Sequence, residues 1–81
     1  MELKDTVNDM LSHNYVDRFK AEYNQISIRI YKLNIILENY KAGTLKFVPQ
    51  CSYEVLYEQL VHMKAYKRML DLRADIEGIV P

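Results

Sequence analysis

The sequence predicts an all-α protein in which a short N-terminal helix precedes a long antiparallel helical hairpin. Only two glycines and two prolines occur in 81 residues, which is too few for the turns of an all-β chain. Apolar residues recur at helical spacing along most of the chain. Two such stretches of similar length, about 15–41 and 53–77, are joined by a loop at 42–51. Residues 1–81 are therefore expected to form a single helical domain.

The first predicted element is a short amphipathic helix at about residues 3–11. Its apolar side chains fall at helical spacing: Leu3, Val7, Met10 and Leu11. The Ser, His and Asn that follow at positions 12–14 favour turns and caps over helix interiors, so the helix is expected to end there.

The first long helix, at about 15–41, carries the clearest pattern in the chain. A heptad seam runs through it, with spacings that alternate between four and three residues: Phe19, Tyr23, Ile26, Ile30, Leu33, Leu37 and Tyr40. Gly43 follows at the position where a glycine commonly ends a helix in the left-handed conformation.

The second long helix, at about 53–77, has Ser52 as its N-cap and Gly78 as its stop. Its main apolar stripe contains Leu56, Leu60, Met63, Tyr66, Leu70 and Ala74. Two helices of similar length joined by a short loop pack as an antiparallel hairpin, so we expect these two seams to face each other. The loop segment Leu45–Val48 is apolar, and we expect it to cover the end of the hairpin.

Each long helix also has a second apolar stripe, which predicts self-association. The short N-terminal helix is too small to cover both stripes, and a monomer rarely leaves so much apolar surface exposed. The sequence therefore predicts a homo-oligomer. The predicted interface residues are Ile28, Tyr31, Ile35, Met69, Leu72 and Ile76.

Charge and hydropathy exclude several classes of protein. Lys and Arg number 11, as do Asp and Glu, and a net charge of zero argues against a DNA-coating protein. No stretch approaches the roughly 20 apolar residues that span a bilayer, and the acidic N-terminus does not resemble a signal peptide. The single cysteine, Cys51, fits a reducing compartment, so a cytoplasmic location is expected.

No combination of residues indicates catalysis, a metal or a cofactor. The two glycines stand at helix ends rather than in a phosphate-binding loop. Glu58 and His62 are four residues apart, which is typical of a surface pair on a helix more than of a metal site. Cys51 has no neighbouring base in the sequence to activate it. We expect a protein that is not an enzyme and that acts by binding.

Cations without intervening acids lie in the middle of both long helices, and the hairpin is expected to bring them together as a basic belt. Such a belt is either a solvated surface or a site for a phosphate or another anion. Tyr31 and Tyr57 lie off the main seams, where an aromatic ring is free to stack on a base. The candidate ligand-binding residues are Arg29, Tyr31, Lys32, Tyr57, Lys64 and Arg68.

Both long helices resemble a family of small uncharacterised helical proteins from tailed phages, related to a crAss-like phage protein. In the first helix the resemblance is carried by Glu22–Tyr23, Arg29 and Lys32–Leu33. In the second it is carried by Leu56, Gln59–Leu60, Met63, Tyr66, Leu70 and Arg73. The resemblance covers roughly 60 of the 81 residues.

This resemblance implies a phage protein that acts in the host cytoplasm, without implying a mechanism. In architecture alone, the chain is similar to the helical-hairpin sponges with which phages sequester cyclic-nucleotide immune signals. An anti-defence protein that sequesters a host nucleotide signal in an oligomeric scaffold is therefore the first hypothesis. The alternatives are an inhibitor that binds a host defence protein, as anti-CRISPR proteins do, and a structural or assembly protein.

Overall fold

The computed structural model describes residues 1–81 and contains helices without any strand, which confirms the predicted fold class. A 3-10 turn at Leu3–Thr6 leads into a short α-helix, α1, at Val7–Met10. The long helices follow at Tyr15–Ala42 (α2) and Tyr53–Glu77 (α3). We call residues 3–10 the N-terminal segment.

The N-terminal segment differs from the regular helix that its pattern predicts, because its first turn is 3-10. Side chains fix this tight turn through hydrogen bonds between residues three apart. The Glu2 N–H donates to Asp5 Oδ2 at 2.8 Å, and Thr6 Oγ1 donates to the Leu3 carbonyl at 2.7 Å. Local polar contacts of this kind compete with regular helical hydrogen bonding.

Capping residues set the bounds of both long helices. The Asn14 side chain accepts a hydrogen bond from the Val16 N–H at 2.8 Å, and Ser52 Oγ accepts one from the Val55 N–H at 3.2 Å. At the other ends Gly43 and Gly78 have φ values of 73° and 69°, in the left-handed region that favours glycine.

The predicted seams of α2 and α3 meet in two small core clusters. Near the open end of the hairpin, Phe19 packs with Leu70 and Ala74. Toward the loop, Leu33 and Leu37 pack with Leu60. The core is nevertheless small, since only eight of the 81 residues are buried. Much of the apolar surface of the chain therefore remains exposed.

The N-terminal segment packs against α2 and makes no comparable contact with α3. Thr6 is buried in this contact, and its Oγ1 accepts a hydrogen bond from Gln25 Nε2 at 2.9 Å. Ala21 lies one turn before Gln25 on the same helix face and is also buried. The N-terminal segment therefore covers one side of α2 and forms an edge where it meets the surface of that helix.

The apolar loop covers the hairpin end only in part. Pro49 and the half-exposed Phe47 border a small apolar cavity against Leu33 and Leu56. Val48, by contrast, is 91% exposed.

Candidate functional site

The largest concavity of the molecule, about 470 Å³, lies between the start of the chain and α2. Residues of α2 supply an aromatic ring, a cation and two neutral polar side chains to it. Its lining residues are Met1, Glu2, Asn24, Ser27, Ile28, Tyr31 and Lys32.

Two smaller concavities lie along the contact between α2 and α3. The first, of about 200 Å³, shares Lys32 with the largest cavity and includes Gln59 of α3. The second, of about 220 Å³, shares Arg29 with the first and includes Tyr66 of α3. Lys32 and Arg29 each line two of these neighbouring concavities. We call the three concavities together the Arg29–Lys32 groove.

The two cations of the groove differ in their partners. Lys32 Nζ lies 3.2 Å from a carboxylate oxygen of Glu2, and both side chains are half exposed or more. Arg29 is exposed and forms neither an ion pair nor a side-chain hydrogen bond within the chain. An anion in the groove would therefore meet one free guanidinium and one ammonium group held by a weak, solvent-exposed partner.

Among the six predicted ligand-binding residues, the structure brings Lys32 together with Tyr31 in the largest cavity and with Arg29 in a smaller concavity, while Arg29 and Tyr31 share no concavity. Arg29, Tyr31 and Lys32 line the groove. Lys64 and Arg68 do not, because each lies two residues, or roughly 200° of helix rotation, away from Tyr66 on α3. They occupy the other edge of the hairpin, so the four cations do not form one belt.

Tyr57 also lies away from the groove. Its ring stacks on Tyr53 with a centroid separation of 6.1 Å and an interplanar angle of 17°. Tyr53 in turn meets Tyr40 edge to face at 5.6 Å. These three rings pack together where α2 ends and α3 begins.

The predicted interface residues lie on two separate surfaces. Ile28 and Tyr31 border the largest cavity, and Ile35 is exposed one turn further along α2. Met69, Leu72 and Ile76 lie on the face of α3 that points away from α2, and all three are exposed. A single flat interface would not include both sets.

The sequence pattern did not single out Asn24, Ser27 and Glu2. Asn24, Ser27 and Tyr31 are spaced three and four residues apart, so a search for polar residues on one helix face would have grouped them. No sequence signal places Glu2 beside Lys32, because the two are 30 residues apart and meet only through tertiary packing.

Two further polar clusters tie the open end of the hairpin together. Tyr23 donates to Asp71 Oδ1 at 2.7 Å, and this hydrogen bond to a carboxylate raises the pKa of the Tyr23 hydroxyl, with burial adding to the effect. Tyr15 accepts from Arg73 at 2.9 Å and donates to Glu77 at 2.7 Å. The hydrogen bond with Tyr15 raises the pKa of Arg73. Both clusters link α2 to α3 and lie outside the groove.

No group of three or more His, Cys, Asp or Glu side chains is arranged to hold a metal ion. Nε2 of His62 lies 3.7 Å from the Glu58 carboxylate, and both side chains are largely exposed, as expected for a surface pair. None of the helices has the length and apolar character required to cross a membrane.

The fold and the groove define a small all-α hairpin protein with neighbouring concavities to which Arg29 and Lys32 contribute cations. The family model described as Sequestin matches residues 13–76, and the chain belongs to this family. The match includes most of both long helices and begins after the N-terminal segment. It does not confirm the specific resemblance to the tailed-phage family. Comparisons with curated proteins and with solved structures gave no match.

Proposed function

We propose that this protein sequesters an anionic small molecule of the nucleotide class in the Arg29–Lys32 groove. The name of the Sequestin family supports a role in which a ligand is held rather than converted. Such a protein removes a signal from solution by binding it in stoichiometric amounts. Its effectiveness therefore depends on affinity and on the number of copies present.

The composition of the largest cavity is the observation that carries this proposal. A volume of about 470 Å³ falls within the roughly 300–1,000 Å³ typical of small-molecule sites. Tyr31 is 67% exposed and offers a ring face for a base, and Lys32 of the same cavity offers a charge-assisted hydrogen bond to phosphate. Arg29 offers a second such hydrogen bond from the smaller concavity that Lys32 also lines. Asn24 and Ser27 add neutral polar groups suited to ribose or base edges.

The biological setting in this proposal is phage anti-defence. A phage protein that captured a host nucleotide immune signal in the host cytoplasm would prevent that signal from reaching its effector. No catalytic step is needed for this role, and the proposed working unit is a homo-oligomeric scaffold.

A binding screen tests the proposal directly. The purified protein is mixed with cyclic oligonucleotides and ADP-ribose derivatives, and its thermal unfolding is measured. A ligand at one hundred times its Kd should stabilise the fold by about 2.7 kcal/mol. The protein–ligand mixture is then denatured, and the released compound is analysed by mass spectrometry. Recovery of the unchanged compound supports sequestration, whereas recovery of a product would show turnover.

Failure of every nucleotide to stabilise the protein would contradict the proposal. Co-purification with a single host protein would then favour the alternative, an inhibitor that docks on a defence protein. The exposed apolar side chains on both long helices are the feature that fits this alternative.

Replacing Glu2 with Gln should raise the affinity for an anionic ligand by about two- to fivefold. The Glu2 carboxylate forms an ion pair with the Lys32 ammonium group, so a phosphate that binds Lys32 must displace the carboxylate. An exposed ion pair contributes at most about 1 kcal/mol, which sets the upper limit of the gain near fivefold. Isothermal titration calorimetry with the best ligand of the screen measures the change.

The matched control is Glu58→Gln, which removes an acid from the surface of α3 outside the groove. Glu58→Gln should leave the affinity unchanged. An equal or lower affinity for Glu2→Gln would show that the ligand does not engage Lys32 at this place.

A further inference from the structure

The face of α3 that points away from α2 is apolar and has no partner within the chain. Its residues are Val61, Ala65, Met69, Leu72 and Ile76. The four larger side chains are all about half exposed or more, and Ile76 is 75% exposed. Neither the N-terminal segment nor α2 reaches this face, because α3 packs only against α2 and does so through the opposite side.

The spacing of this face is that of a coiled-coil seam. Ala65, Met69, Leu72 and Ile76 follow one another at intervals of four, three and four residues. From Val61 to Ile76 the stripe is about 22 Å long at 1.5 Å per residue. A stripe of this kind is suited to packing lengthwise against a second helix.

We infer that the partner is α3 of a second copy of this chain, packed antiparallel across a two-fold axis. In this register Met69 faces Leu72 of the second copy, and Ala65 faces Ile76 of the second copy. The two-fold axis repeats each contact, so the two helices bury the whole seam of both copies. The interface is isologous and closes as a dimer.

The charges beside the seam select this orientation. Arg68 and Asp75 are exposed on the same flank of the seam, and neither forms an ion pair within the chain. The antiparallel register brings Arg68 of each copy against Asp75 of the other, giving two opposite-charge contacts. A parallel pairing would instead bring Arg68 of one copy against Arg73 of the other. Opposite charges beside the seam therefore favour the antiparallel dimer.

This interface lies apart from the largest cavity, which α2 and the start of the chain enclose on the other side of the hairpin. The inferred dimer leaves one such cavity open in each copy. The dimer does not depend on the proposed ligand, so it is tested with the protein alone.

A charge-swap experiment tests both the dimer and its orientation. Arg68→Glu and Asp75→Lys each replace two attractive contacts with two repulsive ones, so each variant alone should self-associate about tenfold more weakly than the unaltered protein. Mixing the two variants should restore association. In the heterodimer the introduced glutamate meets the introduced lysine, and the retained Asp75 of one variant meets the retained Arg68 of the other. Sedimentation velocity over a concentration series measures all four samples.

Lys64→Glu is the matched control, since it makes the same charge change on α3 away from the seam. It should associate like the unaltered protein. Leu72→Glu should abolish dimerisation, whereas Val48→Glu, which places a charge on an exposed apolar loop residue, should not. Circular dichroism establishes that each variant keeps its helices.

Two results would overturn the inference. One is an unaltered protein that stays monomeric up to about 100 µM, equivalent to an association weaker than roughly 5.5 kcal/mol. The other is a mixture of the two charge variants that associates no better than either alone, because that result excludes the contact between residues 68 and 75.

Discussion

Arg29→Ala and Lys32→Ala are each expected to lower the affinity for a phosphate-bearing ligand by about ten- to hundredfold. Each substitution removes a charge-assisted hydrogen bond, which contributes roughly 1.5–3 kcal/mol. Both side chains are exposed in the free protein, so the free energy of unfolding should change by less than about 0.5 kcal/mol. Isothermal titration calorimetry for binding and chemical denaturation for stability separate the two effects.

The other edge of the hairpin supplies the matched controls. Lys64→Ala and Arg68→Ala remove the same charge from α3, yet neither residue lines the groove. Both variants should bind the ligand as the unaltered protein does. The opposite pattern, in which the Lys64 and Arg68 variants lose binding and the groove variants keep it, would place the ligand on the other edge.

Salt provides an independent check on the same contacts. Charges at the surface are screened over about 8 Å at physiological ionic strength, so binding should weaken as salt rises. The Lys32→Ala variant has one fewer cation to screen and should show a shallower dependence on salt. An affinity that does not change with salt would indicate an uncharged ligand or an apolar contact.

The sequence was sufficient to predict the hairpin because its signals are local and repeated. Heptad spacing fixed the faces of α2 and α3, and Asn14, Gly43, Ser52 and Gly78 mark their ends. The same periodicity predicted which apolar residues would meet across the hairpin, and the two core clusters show that contact.

The candidate site was predicted only in part, since it depends on how the helices are turned toward each other. Position along the chain placed Arg29 and Lys64 at similar heights of the hairpin, and the two were expected to meet. A similar position along the hairpin axis does not specify on which edge of the hairpin a side chain lies, however, because residues two apart on a helix point to nearly opposite sides. The Glu2–Lys32 contact joins parts of the chain that are distant in sequence, and no local pattern indicates it.

Leu70→Ala is expected to destabilise the protein by about 2–5 kcal/mol. Leu70 is 1% exposed and packs with Phe19 and Ala74, so the truncation loses apolar burial and leaves a cavity. A chain of this length has a free energy of unfolding of roughly 4–12 kcal/mol, of which this loss is a large fraction. The Tm should fall by about 10 °C or more, as measured by circular dichroism.

Leu72→Ala makes the same chemical change two residues further along α3, where the side chain is 52% exposed. In dilute protein, which is monomeric under the dimer inferred above, it should cost less than about 1 kcal/mol because little burial is lost. At high concentration the unaltered protein gains stability from dimerisation, and Leu72→Ala should lose part of that gain. We therefore expect the loss of stability caused by Leu72→Ala to grow with protein concentration. The loss caused by Leu70→Ala should already be complete in dilute solution. This difference would distinguish a residue of the hairpin core from a residue of the surface between two copies. A Leu72→Ala deficit that stays the same at every concentration would contradict the contact of Leu72 with a second copy.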